Sequence, residues 1–183
     1  YISFNGETGG KLPELVDISK SKKEVTDMGW EIFPQGIFDT IMDFSDYHKP
    51  IYITENGLAS TNDDRRCRFL IAYLQEIYHA IQIGANVKGY FHWSLTDNFE
   101  WADGFRPRFG LVEIDYKTLK RTPRPSAYIY SNIIRHNGIP HTLLRFLSHT
   151  VNAQEVLFMD HDCPPELCPI SPKDLAEIAY TSP

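Results

Sequence analysis

The chain has 183 residues, enough for one domain with a substantial core, and its 42% hydrophobic and 23% charged residues are ordinary for a soluble globular protein. A net charge of −6 with scattered Lys and Arg excludes the basic face that a nucleic-acid surface needs, and no apolar run approaches the roughly eighteen residues that span a bilayer. Cys67, Cys163 and Cys168 are too few for a disulfide scaffold, and "HDCPPELC" around His161 lacks the second ligand pair a zinc site wants, so neither metal nor other cofactor is expected.

The sequence opens on Tyr1 without a Met, and "YISFNG" reads as though mid-domain. No targeting segment is visible, and the expected location is cytoplasmic. Residues 6–31 are polar and read as a long loop. In "EIFPQGIFDTIMDFSDY", Pro34 suits a first helical turn and Ile37, Phe38, Ile41 and Met42 recur at helical spacing, predicting a helix of about twelve residues.

"PIYIT" (50–54) is short, β-branched and apolar on both faces, the pattern of a strand in a parallel sheet covered by helices. "STNDDRRCRFLIAYLQEIYHAIQIG" then gives the clearest helix. Polar capping candidates and two Asp open it, favourable at the positive end of a helix dipole. Phe69, Leu70, Tyr73, Leu74, Ile77, Ala80 and Ile81 form its apolar stripe, and Gly84 closes it.

"VKGYFHWSL" (87–95) reads as a second buried strand, followed by the loop "TDNFEWADGFRPRFG" and by "LVEID", which alternates like a short exposed strand. "TPRPSAYIYSNIIRHNG" supplies a third helix, opened by prolines and stopped by Gly138. This βα repetition predicts an α/β class with a parallel sheet. From His141 onward, apolar pieces lie among Pro-rich turns without repeat or motif, so the chain divides into residues 1–140 and a tail, 141–183, of no readable role.

In parallel α/β folds the chemistry gathers at the carboxyl ends of strands. Glu55 and Trp93 stand at two such ends, with Glu100 and Trp101 in the loop just beyond. Two carboxylates and two indoles on one rim suit a sugar, whose C–H faces stack on an indole and whose hydroxyls donate to carboxylates. Cleavage of a glycosidic bond also needs a pair of carboxyl groups. Each residue has a plainer reading. Glu55 before Asn-Gly can be a solvated strand end, Glu100 a surface acid, Trp93 core, Trp101 a packed loop anchor, and His92 a satisfied core histidine.

Two longer stretches narrow these alternatives. "YITENG" (52–57) and "HWSLTDNFEWADGF" (92–105) resemble the two C-terminal signatures of family 1 glycoside hydrolases, retaining β-glucosidases, β-galactosidases and their 6-phospho relatives built on a (β/α)8 barrel. "TDMGWEIFPQGIFD" (26–39) and "RFGLVEIDYKTLKRTPRPSAYIY" (108–130) resemble that family too, in collinear order. The resemblance implies Glu55 as catalytic nucleophile at the end of the seventh strand and Trp93, ending the eighth, as the platform under the glycone ring. It implies Glu100 and Trp101 as partners of the outer glycone hydroxyls, with Asn56 in the substrate-binding set. Tyr1 matches the tyrosine that hydrogen-bonds the nucleophile from the sixth strand.

Glu100-Trp101 also stands where 6-phospho members carry a small polar residue and phosphate ligands, which points to an unphosphorylated β-glycoside as substrate. The departure is upstream. The family's acid/base glutamate lies in an Asn-Glu-Pro motif that does not occur here, and a barrel needs about 200–250 residues. The resemblance therefore implies the C-terminal portion of a barrel, roughly strands 6/7 to 8, completed by an N-terminal half carried on a separate chain or elsewhere. The alternative is a non-catalytic, glycoside-binding or receptor-like member, or an inactive fragment of the fold.

Overall fold

A computed structural model describes residues 23–147. Tyr1, His161, Cys163, Cys168 and most of the 141–183 tail lie outside the described residues. The elements run in the order α1 (Gln35–Ser45), β1 (Ile51–Asn56), α2 (Asp63–Gln82), β2 (Val87–His92), β3 (Val112–Ile114), β4 (Arg121–Pro123) and α3 (Pro125–His136). Short 3-10 turns at Trp101–Asp103 and His141–Leu147 complete the described chain. Among the described residues, no helix is long and apolar enough to cross a membrane.

The helices form where their periodicity placed them. Pro34 precedes α1, whose Ile37, Phe38, Ile41 and Met42 face the core. At the start of α2 the Asn62 side chain accepts from the Asp64 amide (2.9 Å), capping a first turn that carries Asp63 and Asp64. Ile81, expected in the buried stripe, is 41% exposed because it lies in the last turn, away from the packed face. The stop of α3 falls one residue before the expected Gly138. Asn137 takes the left-handed conformation (φ 45°), and the amides of Asn137 and Gly138 turn back to the carbonyls of Ile134 and Ile133.

β1 and β2 pair in parallel, as the βα pattern predicts, with α2 as the crossover. The helices cover one face of this pair. Ile51, Ile53, Val87 and Tyr90 pack against Ile41, Ile77, Ala80 and Ala85. The opposite face, expected to be buried as well, is open among the described residues, and Tyr52 on it is 53% exposed. A second cluster joins α2 to α3 through Cys67, Leu70, Ile71, Leu111, Ala127, Ile129, Tyr130 and Ile133. Leu143 is buried in that cluster, so the packed unit continues past Pro140.

"LVEID" becomes β3, with Val112 and Ile114 buried and only Glu113 facing out, because it folds back antiparallel on β4. The expectation of an exposed strand therefore holds for one face only.

Candidate active site

Pure alternation along β1 would send Glu55 to the same side as Ile51 and Ile53, toward the helices. The register prevents this. Ile53 pairs with Tyr90 and Asn56 with His92, so β1 carries one more residue than β2 over this interval. Such a bulge re-aims a side chain at a strand's end. Thr54 and Glu55 both face solvent and line one depression, while Asn56 takes the helix-facing side.

There the Asn56 Oδ1 accepts from the Tyr90 hydroxyl (2.9 Å). Asn56, which the sequence grouped with the substrate-binding residues, is thus engaged behind the strand and is not among the residues lining the depression. Tyr90 is itself held from behind by Tyr130, whose hydroxyl donates to the Tyr90 carbonyl (3.2 Å). Burial raises the Tyr90 phenol well above its ordinary range and pushes Tyr130 up to about 12, so both stay neutral hydrogen-bonding groups.

The ends of the two strands are zipped together. The Trp93 amide donates to the Asn56 carbonyl (2.9 Å). A Cβ on Gly57 would lie 1.6 Å from the Trp93 carbonyl oxygen, so only glycine lets the strand ends approach this closely. β2 ends at His92, before the expected Leu95, and Trp93 stands just past it. The depression that results has a volume of about 250 Å³ and is lined by Thr54, Glu55, Trp93, Ser94, Leu111 and Tyr130, among others.

His92, expected as a satisfied core histidine on the face opposite Trp93, lines the same depression and is not satisfied. Its Nδ1 lies 3.5 Å from the Tyr90 hydroxyl and its buried Nε2 has no hydrogen-bond partner. Burial, reinforced by the nearby Arg66 cation, lowers its pKa to about 3 and keeps the ring neutral.

Glu100 sits in the loop that follows β2 and is only 6% exposed. Its amide donates to the Gly104 carbonyl (2.7 Å), and the Asp103 amide returns to the Glu100 carbonyl (2.9 Å), closing a tight turn. Burial, then the negative charges of Asp103 and Glu55, raise its carboxyl above the usual range. The two acids that the sequence singled out thus feel one another. Trp101, at φ 45°, is 82% exposed and projects from this turn.

Sequence reasoning missed the group that supports this loop. The Asp97 side chain is buried and accepts from the Gly110 amide (2.9 Å), the Ile114 amide (3.3 Å), Arg108 Nη1 (3.1 Å) and both terminal nitrogens of Arg124 (3.0 Å each). Burial alone would raise this carboxyl, but Arg124 and the two amides outweigh it and hold it below the ordinary carboxylate range. A lone Asp in a polar loop gives no signal of this, since its partners lie 11 to 27 residues away. No group of three or more acidic, His or Cys side chains suited to a metal occurs among the described residues.

Parallel strands backed by helices, with an acid and an indole brought together at their carboxyl ends, define a portion of a βα sheet or barrel, an architecture whose chemistry generally gathers at the strand ends. The comparisons with known proteins make this specific. Residues 4–139 match the model for glycosyl hydrolase family 1, and the chain belongs to that family. It is 42% identical over 144 residues to a β-galactosidase of Sulfolobus acidocaldarius, covering 78% of this chain and 29% of that protein. It is 44% identical over 138 residues to β-glucosidase A of Thermotoga maritima, covering 69% of this chain and 31% of that protein. Among solved structures, a β-glycosidase from Pyrococcus horikoshii superposes with a TM-score of 0.66 at 49% identity, over 68% of this chain and 30% of that one. The β-glucosidase of Thermotoga maritima in complex with castanospermine gives 0.64 at 41% identity. The chain thus has the fold of a portion of these barrels and spans about 30% of the length of the relatives it matches.

Proposed function

We propose that this chain supplies the nucleophile and the glycone-recognition half of a retaining β-glycosidase acting on unphosphorylated β-glycosides. The observation that carries the reading is the shared depression at the strand ends, where the β1 bulge turns Glu55 outward beside Trp93, with Glu100 close enough to feel its charge. The membership in glycosyl hydrolase family 1, and relatives named β-glucosidase and β-galactosidase, support it.

On this reading β1 and β2 are the seventh and eighth barrel strands. The Glu55 carboxylate attacks the anomeric carbon while an acid protonates the leaving oxygen; the C–O bond to the aglycone breaks and a glycosyl ester forms on Glu55. Water, deprotonated by the same acid/base group, then cleaves that ester and restores the original configuration. Trp93 underlies the sugar ring, and Glu100 and Trp101 take its outer hydroxyls. Asn56 serves indirectly, by holding the strand end through Tyr90. The acid/base carboxyl comes from an upstream barrel segment, on a separate chain or on another stretch of polypeptide. It belongs about 5–5.5 Å from the nucleophile, as in retaining enzymes generally.

The test uses the assembled enzyme, meaning this chain together with an upstream barrel segment, either native or taken from a relative such as the Thermotoga maritima enzyme. With an aryl β-glucoside, Glu55→Gln abolishes turnover while an iminosugar still binds. Turnover by Glu55→Gln within tenfold of the unaltered enzyme, on the order of 1.4 kcal/mol of barrel-site barrier, refutes a nucleophilic role. Binding without turnover in the unaltered assembly points instead to a non-catalytic, glycoside-binding member.

A further inference from the structure

The loop that carries Glu100 has little apolar packing of its own. Phe99 and Phe105 are both about half exposed, with their rings 5.2 Å apart between centroids, and Trp101 stands in solvent. What fixes it is a sequence of contacts that begins at Asp97. The Asp97 carboxylate grips Arg108, and the Arg108 guanidinium lies over the Tyr116 ring at 4.5 Å. Tyr116 then supports the loop at two points. Its hydroxyl donates to the Asn98 carbonyl (3.2 Å), and its ring packs on Phe105 at 4.5 Å. Glu100 lies between those two points of support.

Arg124 holds Asp97 from the other side. It pairs with both carboxylate oxygens and also donates to the Gly110 carbonyl (2.6 Å), tying the beginning and end of the loop to the residue that precedes α3. The approach is close. A Cβ on Gly110 would fall 2.2 Å from the Asp97 amide nitrogen. The Asp97 amide itself donates to the Val112 carbonyl (3.1 Å), so main chain and side chain are both anchored on β3.

We infer that Asp97, clamped between Arg108 and Arg124, is a positioning residue that sets where Glu100 meets the sugar. The inference rests on the functional reading above. It assigns to Asp97 no contact with substrate; its effect passes through Arg108 and Tyr116 to the loop. A bidentate arginine pair fixes orientation as well as distance, which suits a group whose task is geometric.

The experiment measures kcat/KM in the assembled enzyme for an aryl β-glucoside and for its 4-deoxy analogue. Their ratio is the discrimination supplied by groups that bind the outer hydroxyls, and it is independent of how much enzyme is folded. Asp97→Asn lowers the ratio about tenfold or more, as loss of a well-placed hydrogen bond to a charged group does. Tyr116→Phe, which deletes only the hydroxyl on Asn98, lowers it less but in the same direction. In a Glu100→Gln background, Asp97→Asn changes the ratio no further, because the group it positions is already lost. An unchanged ratio in an active Asp97→Asn enzyme overturns the inference. If Asp97→Asn yields no active enzyme, an unchanged ratio in Tyr116→Phe overturns it instead. Absence of turnover in the unaltered assembly overturns the functional reading itself, and is seen before any substitution is made.

Discussion

Asp63 joins two helices to a buried cation, and replacing it with alanine provides the most direct stability test of the fold. Its Oδ1 accepts from Arg66 Nη1 (2.5 Å) and from the Ser126 hydroxyl (2.8 Å), and its Oδ2 from the Ser126 amide (2.8 Å). The start of α2 is thereby tied to the start of α3. Arg66 is fully buried, and its Nε already has no partner. Its remaining contacts are to the carbonyls of Ser60 and Arg108. Burial lowers the Arg66 pKa against the pull of Asp63, but no arginine loses its proton at neutral pH, so the charge stays.

Asp63→Ala therefore leaves a cation uncompensated in the interior, which costs about 3–5 kcal/mol. The two Ser126 donors belong to the same loss, since hydrogen bonds to a charged acceptor contribute about 1.5–3 kcal/mol each and share the site. For a domain whose whole stability is about 5–15 kcal/mol, this is a large fraction. Urea unfolding followed by tryptophan fluorescence should show a lowered midpoint at unchanged slope. Arg66→Met in the Asp63→Ala background removes the stranded charge while filling much of its volume, and should recover about half of the loss. A loss below about 1 kcal/mol for Asp63→Ala, or strict additivity with Arg66→Met, would refute the reasoning.

Gly57→Ala places a methyl group onto the Trp93 carbonyl and must pry apart the strand ends that present Glu55 and Trp93. In the assembled enzyme kcat should fall about 100-fold while far-UV circular dichroism stays unchanged, as displacements near 1 Å at a reacting centre do. His92 supplies a pH test. The folded chain binds no proton on its ring until about pH 3, whereas the unfolded chain binds one near pH 6.5. Stability is thus full above pH 6.5 and falls as pH drops toward 3, by at most about 1.4 kcal/mol per pH unit. Asp97, with its depressed carboxyl, loses its contribution only below the ordinary carboxylate range, and Glu100, with its raised carboxyl, acts in the opposite sense by adding stability as pH falls, so the loss of stability from pH 6 to 4 is assigned to His92. His92→Gln should flatten the stability profile over that interval, measured as urea midpoints; an undiminished slope would show that another group titrates there.

The helices were legible because their signals are local: a 3.6-residue apolar period, a capping Asn62, prolines before α1 and α3. The strands were legible as apolar runs and their parallel pairing followed from the helix between them. What stayed hidden depends on partners distant in sequence. The bulge that turns Glu55 outward exists only relative to β2, so no reading of "PIYITENG" alone distinguishes Glu55 out from Glu55 in. β4 is three residues long, too short to carry a period, and forms because β3 lies beside it. The clamp on Asp97 needs residues 108, 110, 114 and 124 folded around it. Asn137 rather than Gly138 ends α3 because Asn also enters the left-handed region at modest cost.

The two acids at the strand ends are therefore held by different physics, and this bears on how the proposed chemistry divides. Glu55 is placed by main-chain register: a bulge, an inter-strand amide bond and a glycine that admits no side chain. Main-chain pairing resists side-chain substitution, which suits a nucleophile whose distance from the reacting carbon must hold through every turnover. Glu100 sits in its own main-chain turn, and that turn is, on the inference above, held against the sheet by side chains: Asp97, Arg108, Arg124 and Tyr116. Side-chain supports can be exchanged one at a time without disturbing the sheet. On the proposed reading, substitutions around Asp97 act chiefly on the preference among outer hydroxyls, and substitutions around Gly57, which displace Glu55 and Trp93 together, act chiefly on the rate with the best substrate. A set of variants at the two places should separate along those two axes, with the 4-deoxy ratio moving in the first set and the rate on the best substrate in the second.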